Sequence, residues 1–154
     1  MKTTTTDRIE KEVLLRAPRS RVWRALTDSK EFGSWFQALF TEPFRLGART
    51  KGRITYPGYE HLVLEFAIEK IEPERLFSFR WHPNALDPNV DYSKEPMTLV
   101  EFTLEDAEGG TRLRLVESGF DAIPIERRAA ALKSNDGGWT QQMVAIEGYL
   151  RKNP

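Results

Sequence analysis

The sequence predicts an α+β fold consisting of one strand, two short helices, an antiparallel meander and a long C-terminal helix. Three observations carry this. Stretches in the middle of the chain alternate apolar and polar residues, the two-residue period of half-buried strands. The apolar residues after Pro124 recur at steps of three, four and seven, the period of a helix with one buried face. Proline and glycine punctuate the joins between these segments.

Taken in order, the first strand runs over 9–16, where "VLL" gives an apolar run that Ala17-Pro18 interrupts. Proline costs little in the first turn of a helix, and Val22, Trp23 and Leu26 then fall on one side of "PRSRVWRALTD". Asp28 and Glu31 resemble a reciprocal capping pair for a second short helix, in which Phe32, Trp35 and Phe36 share a face. The β-rich middle, "RTKGRITYPGYEHLVLEFAIEKIEPERLFSFRWH", is broken at Pro57-Gly58 and Pro73-Glu74. In "LFSFRW" the aromatics Phe77, Phe79 and Trp81 lie on one face, with Ser78 and Arg80 on the other. "TLVEFTLEDAEGGTRLRLVESGF" reads as a hairpin turning at Glu108-Gly109-Gly110, with Val100, Phe102 and Leu104 on the side taken by Leu113 and Leu115.

The segment 82–97, "HPNALDPNVDYSKEPM", has no period and exceeds the usual hairpin connection, so it is a candidate lid. In it, Asp87, Asp91 and Tyr92 either gate a cavity or cap turns. The final helix places Leu132, Trp139, Met143, Ile146 and Leu150 in one stripe. Gly137-Gly138 within it predicts either a kink or a close approach by another group, because each mid-helix glycine costs about 1 kcal/mol relative to alanine.

The 154 residues suit one core, so one domain is expected over 1–154. The 23 basic and 23 acidic side chains cancel, which gives no field favouring nucleic acid or an anionic membrane. Arg45, Arg49, Lys51 and Arg53 read as a solvated face. There is no cysteine, hence no disulfide, thiolate nucleophile, thiolate zinc site or cysteine-ligated iron-sulfur cluster. His61 and His82 are far apart and lie in no metal-binding motif, so no metal is assigned. "GARTKG" and "DAEGGT" lack the phosphate-loop and dinucleotide patterns, so no cofactor is expected. The N-terminus lacks the apolar core of a signal peptide, and no run approaches a membrane span; a cytoplasmic protein is expected.

Several strings together resemble one family. "APRSRVWRALTDSKEFGSWF", "IEPERLFSFRW", "TLVEFTLE" and "GGTRLRLVESGF" are similar to domains named after the activator of heat-shock-protein-90 ATPase, in the START-like (SRPBCC) superfamily. "WHPNALDPNVDYSKEP" and "NDGGW" resemble a bacterial subgroup of them. The resemblance implies the helix-grip (START-like, birch-pollen-allergen-like) fold, a curved antiparallel sheet wrapped around the long C-terminal helix, commonly with a ligand cavity between them. Its implied lining is Phe77, Phe79, Trp81, Val100 and Phe102 from the sheet, Trp35 and Phe36 from the second helix, and Trp139, Met143 and Ile146 from the last. A mainly apolar pocket with few polar groups is the usual form of a small-molecule site.

Glu117 is the outstanding polar position. Alternation points it inward with Leu113 and Leu115, while Arg112 and Arg114 face solvent. Inward, it serves as a hydrogen-bond anchor or an acid; if the strand has reached the sheet rim, it is wet or paired with an arginine. Tyr56 and His61 are further polar anchors. The expected function is binding of a hydrophobic small molecule, by a monomer or a homodimer. The alternatives are a cyclase or hydrolase on a polyketide-like or aromatic substrate with Glu117 as its acid or base, and a chaperone-binding role suggested by the family. Direct ATPase stimulation is not expected, because no separate chaperone-docking domain precedes this one.

Overall fold

The computed structural model describes residues 7–87 and 89–154. In chain order the elements are β1 (Arg8–Leu15), α1 (Arg19–Thr27), α2 (Ser29–Phe36), β2 (Ala38–Phe40), β3 (Arg49–Ile54), β4 (Val63–Glu72), β5 (Leu76–Trp81), β6 (Thr98–Ala107), β7 (Gly110–Ser118), a 3-10 turn (Phe120–Ala122) and α3 (Ile125–Lys152). Seven antiparallel strands form one curved sheet in the order β1-β7-β6-β5-β4-β3-β2. β1, first in sequence, closes onto β7, last of the strands, with Ile9 opposite Glu117 and Leu15 opposite Thr111.

The capping expectation at Asp28 is half met. Its carboxylate accepts the amides of Lys30 and Glu31 at 3.0 and 3.2 Å, satisfying two of the donors a helix start leaves free. Glu31 does not reach back to Asp28. It pairs instead with Arg21 and Arg24 of α1 at 2.9 and 2.7 Å and accepts the Tyr149 hydroxyl of α3 at 2.8 Å. One carboxylate therefore joins all three helices. Burial, followed by the hydrogen bond to Glu31, raises the Tyr149 pKa above its ordinary value. Trp35 Nε1 donates to the Ala25 carbonyl at 2.9 Å and completes the α1–α2 joint. Pro18 sits one residue before the first turn of α1.

The β6–β7 hairpin turns on Glu108 and Gly109, with Ala107 paired to Gly110. Gly109 has φ +85°, and a Cβ on Gly110 would lie 2.0 Å from the Leu15 carbonyl oxygen. Only glycine lets β1 end this close to the turn. Ser78, expected on the solvent face, is buried between its register partners Lys70 and Glu101.

The core is aromatic. Phe32 packs against Trp35, Phe36, Phe40, Phe44, Phe66, Phe79 and Phe102, with ring centroids 4.6 to 6.4 Å apart. Phe66 stacks on Phe79 at 4.0 Å. α3 continues unbroken through Gly137-Gly138, and no atom lies within 4 Å of a Cβ built on either glycine. The approach expected there is absent among the described residues.

Candidate functional site: a buried carboxylate beside an aromatic cleft

Glu117 is fully buried, which corrects the reading of a wet or arginine-paired rim position. Cross-strand register explains its surroundings: Val100 lies opposite Glu117, and Thr98, two residues earlier on β6, lies opposite Trp81 of β5. From above, α3 contributes Asn135 and Trp139, one helical turn apart and so on one face. Glu117 Oε2 accepts from Trp81 Nε1 at 2.7 Å and from the Thr98 hydroxyl at 2.6 Å. Oε1 accepts from Trp139 Nε1 at 2.8 Å and from Asn135 Nδ2 at 3.0 Å. The carboxylate thus joins β5, β6, β7 and α3 through hydrogen bonds alone. It also holds Trp81 and Trp139 side by side, centroids 5.7 Å apart.

Beside these two indoles the molecule opens. A cavity of about 80 Å³ is lined by Phe36, Trp81, Asn135, Gly138, Trp139 and Gln142. Towards the 82–97 segment, a section of about 360 Å³ adds Ile54, Leu62, Val63, Leu64, Glu65, His82, Asn84, Ala85, Leu86, Tyr92 and Ser134. Along the C-terminal half of α3, a section of about 820 Å³ adds Trp35, Gln37, Tyr56, Tyr59, Gln141, Val144, Ala145, Gly148, Tyr149 and Lys152, among others. The sections share Phe36, and neighbouring ones share Ile54, Leu62, Leu86, Trp81, Asn135, Gly138 and Gln142, so they form one cleft between α3 and the β3–β4 connection.

The residues singled out in the sequence therefore divide. Trp35, Phe36, Tyr56, Trp81 and Trp139 line the cleft. Phe77, Phe79, Val100, Phe102 and Ile146 are fully buried in the core, with Met143 nearly so, and none of these six lines the cleft. These six belong to one continuous core cluster with Trp35, Phe36 and Trp139. His61 is exposed in the β3–β4 connection, outside the cleft lining. Sequence reasoning missed Thr98 and Asn135 as partners of Glu117, and Gly138 and Gln142 as cleft residues. The i, i+4 spacing of Asn135 and Trp139 was the available signal.

His82, Asn84, Ala85, Leu86 and Tyr92 form one wall, and Arg127, in the first turn of α3, holds the chain on both sides of it. Arg127 donates to Glu95 Oε1 from Nε and Nη2 at 3.1 and 2.7 Å, and to the Pro83 and Asn84 carbonyls at 3.1 Å each. Its guanidinium lies 4.6 Å from the Tyr92 ring centroid. A cation in a first helical turn opposes the helix dipole, so these contacts explain its presence there. Asp87 and Asp91 cap turns, accepting the Asn89 and Ser93 amides at 2.9 Å each. Hydrogen bonds from the Ser93 side chain and amide hold the Asp91 carboxyl below its ordinary pKa. Arg127→Ala is expected to lower stability by about 1–3 kcal/mol, the cost of leaving charged and carbonyl partners unpaired. Hydrogen exchange at the amides of residues 84–87 and 89–95 would accelerate more than in β6 or β7.

Among the described residues there is no group of three or more acidic, histidine or cysteine side chains placed to hold a metal, and no helix long and apolar enough to cross a membrane.

A curved antiparallel sheet gripping a long C-terminal helix defines a helix-grip protein of the START-like (SRPBCC) class. The family model described as Activator of Hsp90 ATPase homolog 1-like protein matches residues 16–151, and the chain belongs to that family. Comparison with curated proteins gave no match. Among solved structures, the chain is similar to protein MLL2253 from Mesorhizobium loti, at 25% identity and a TM-score of 0.75, over 96% of this chain and 98% of that one. Protein Ms6760 from Mycobacterium smegmatis aligns at 20% identity and a TM-score of 0.75, over 97% and 94%. The Aha1 dimer from Colwellia psychrerythraea aligns at 16% identity and a TM-score of 0.67, over 91% and 92%. The last two likenesses concern the fold.

Proposed function

We propose that the protein binds an apolar or aromatic small molecule in the cleft between α3 and the β3–β4 connection. One observation carries this reading: among its larger lining residues Gln141, Gln142, Val144 and Tyr149, α3 turns three small ones to the cleft. Gly138 and Gly148 line it with nothing within 4 Å of a built Cβ, and Ala145 lies between them. A mid-helix glycine costs about 1 kcal/mol relative to alanine, so two of them on one face of a helix are a stability cost that an occupied cleft would account for. The opposite surfaces are aromatic, and a concave apolar site with a few polar groups is the usual design for a small ligand. Glu117 supports this as an anchor. Its oxygens already take four donors and it does not line the cleft, which suits holding Trp81 and Trp139 in place better than moving a proton on a substrate.

The test is a screen of lipophilic metabolites by NMR, following the indole N–H resonances of the four tryptophans. A bound compound should shift Trp81 and Trp139. A screen in which no compound moves either resonance counts against the proposal. Two substitutions sharpen it. Gly138→Ala is expected to raise stability by roughly 0.5–1 kcal/mol, because the methyl group has room and the helix gains propensity. Gly138→Leu should leave the fold intact and abolish the indole shifts by filling the cleft; unchanged shifts in that variant would place binding elsewhere.

A further inference from the structure

The geometry points to a particular ligand class: an otherwise apolar ring system that presents a hydroxyl or N–H donor to Asn135. This rests on the cleft being the binding site. A carboxylate accepts hydrogen bonds and does not donate them, so the Asn135 amide must turn its NH2 to Glu117, which it meets at 3.0 and 3.2 Å. That contact fixes the amide against flipping. Its Oδ1 is left as an acceptor without a protein partner among the described residues, on a side chain that lines the 80 Å³ cavity.

The indoles beside it have no donor to offer a ligand. Trp81 and Trp139 both give their N–H to Glu117, so towards the cleft they present ring surface only. Gln142, on the same cavity, directs its NH2 towards the Phe36 carbonyl at 3.5 Å. The inner end of the cleft is therefore apolar surface with the Asn135 oxygen and the second N–H of Gln142, and no cation among its lining residues. An alcohol or phenol satisfies the Asn135 oxygen. An ether leaves it desolvated and unpaired, and a carboxylate sets one acceptor against another.

Affinities of 2-naphthol, 2-methoxynaphthalene and 2-naphthoate, measured by NMR titration of the wild-type protein, test this. The expected order places 2-naphthol about tenfold tighter than the methyl ether, the scale of one net hydrogen bond, with 2-naphthoate weakest. In Asn135→Ala, 2-naphthol should fall to the affinity of the ether while the ether is little changed. Equal wild-type affinities for all three, with Trp81 and Trp139 shifting, overturn the donor requirement but leave the cleft reading standing. Failure of all three to bind overturns both. The wild-type comparison decides the matter even where Asn135→Ala folds poorly.

Discussion

Glu117→Leu is expected to destabilise the protein by about 3–5 kcal/mol, the scale seen when one partner of a buried polar network is removed. Leucine nearly matches the volume, so lost packing contributes little. What remains is a set of orphaned donors: two indole N–H groups, the Thr98 hydroxyl and the Asn135 amide. The hydroxyl can rotate, and Asn135 is partly exposed and able to find water, so the two tryptophans dominate the cost. Glu117→Gln retains one acceptor oxygen but sets an NH2 against donors, and should cost roughly 2 kcal/mol. Urea denaturation measures both. Coupling identifies the cause: in a Trp139→Phe background the Glu117→Leu penalty should shrink, since one orphaned donor has gone. A penalty below about 1 kcal/mol, or one insensitive to Trp139→Phe, would contradict the role given to this carboxylate.

Phe32→Ala should cost about 3–5 kcal/mol, the range for emptying a buried phenylalanine site. Phe32 is fully buried and lies among rings from α2, β4, β5 and β6 as well as Phe40 and Phe44. Rings held by several separate elements cannot all move into the void, which puts the cost towards the upper end. Leucine at the same position fills most of the volume and should lose less. Thermal or chemical unfolding checks the pair, and equal losses for Ala and Leu would mean that the cavity is not the cause.

The elements that were legible in the sequence are those with a strong period. β5, β6 and β7 alternate cleanly, and α3 keeps its stripe from Leu132 to Leu150, so the antiparallel meander, the last helix and the inward direction of Glu117 followed from local pattern, while the closure of β1 onto β7 did not. β2 did not. It has three residues, and its path is set by the left-handed backbone of Gln37 at φ +64°, a conformation the pattern does not announce. The partners of Glu117 were hidden for another reason. Thr98 and Asn135 lie 19 and 18 residues from it, and only strand register and helix docking bring them together. The resemblance to a helix-grip fold placed a cavity among Phe77, Phe79, Val100 and Phe102, whereas these pack into a continuous core. The opening lies to one side, where α3 carries Gly138 instead of a side chain. Gly137-Gly138 had suggested a kink or a close neighbour; Gly138 faces open space instead.

Whether this cleft is the binding site is read from intermolecular nuclear Overhauser effects between bound 2-naphthol and the protein. Contacts are expected from the naphthol ring to protons of Phe36, Trp81 and Gly138, with the same tryptophan resonances shifting during titration. Contacts confined to another opening, such as the one lined by Leu15, Arg16, Leu150 and Arg151, would contradict it.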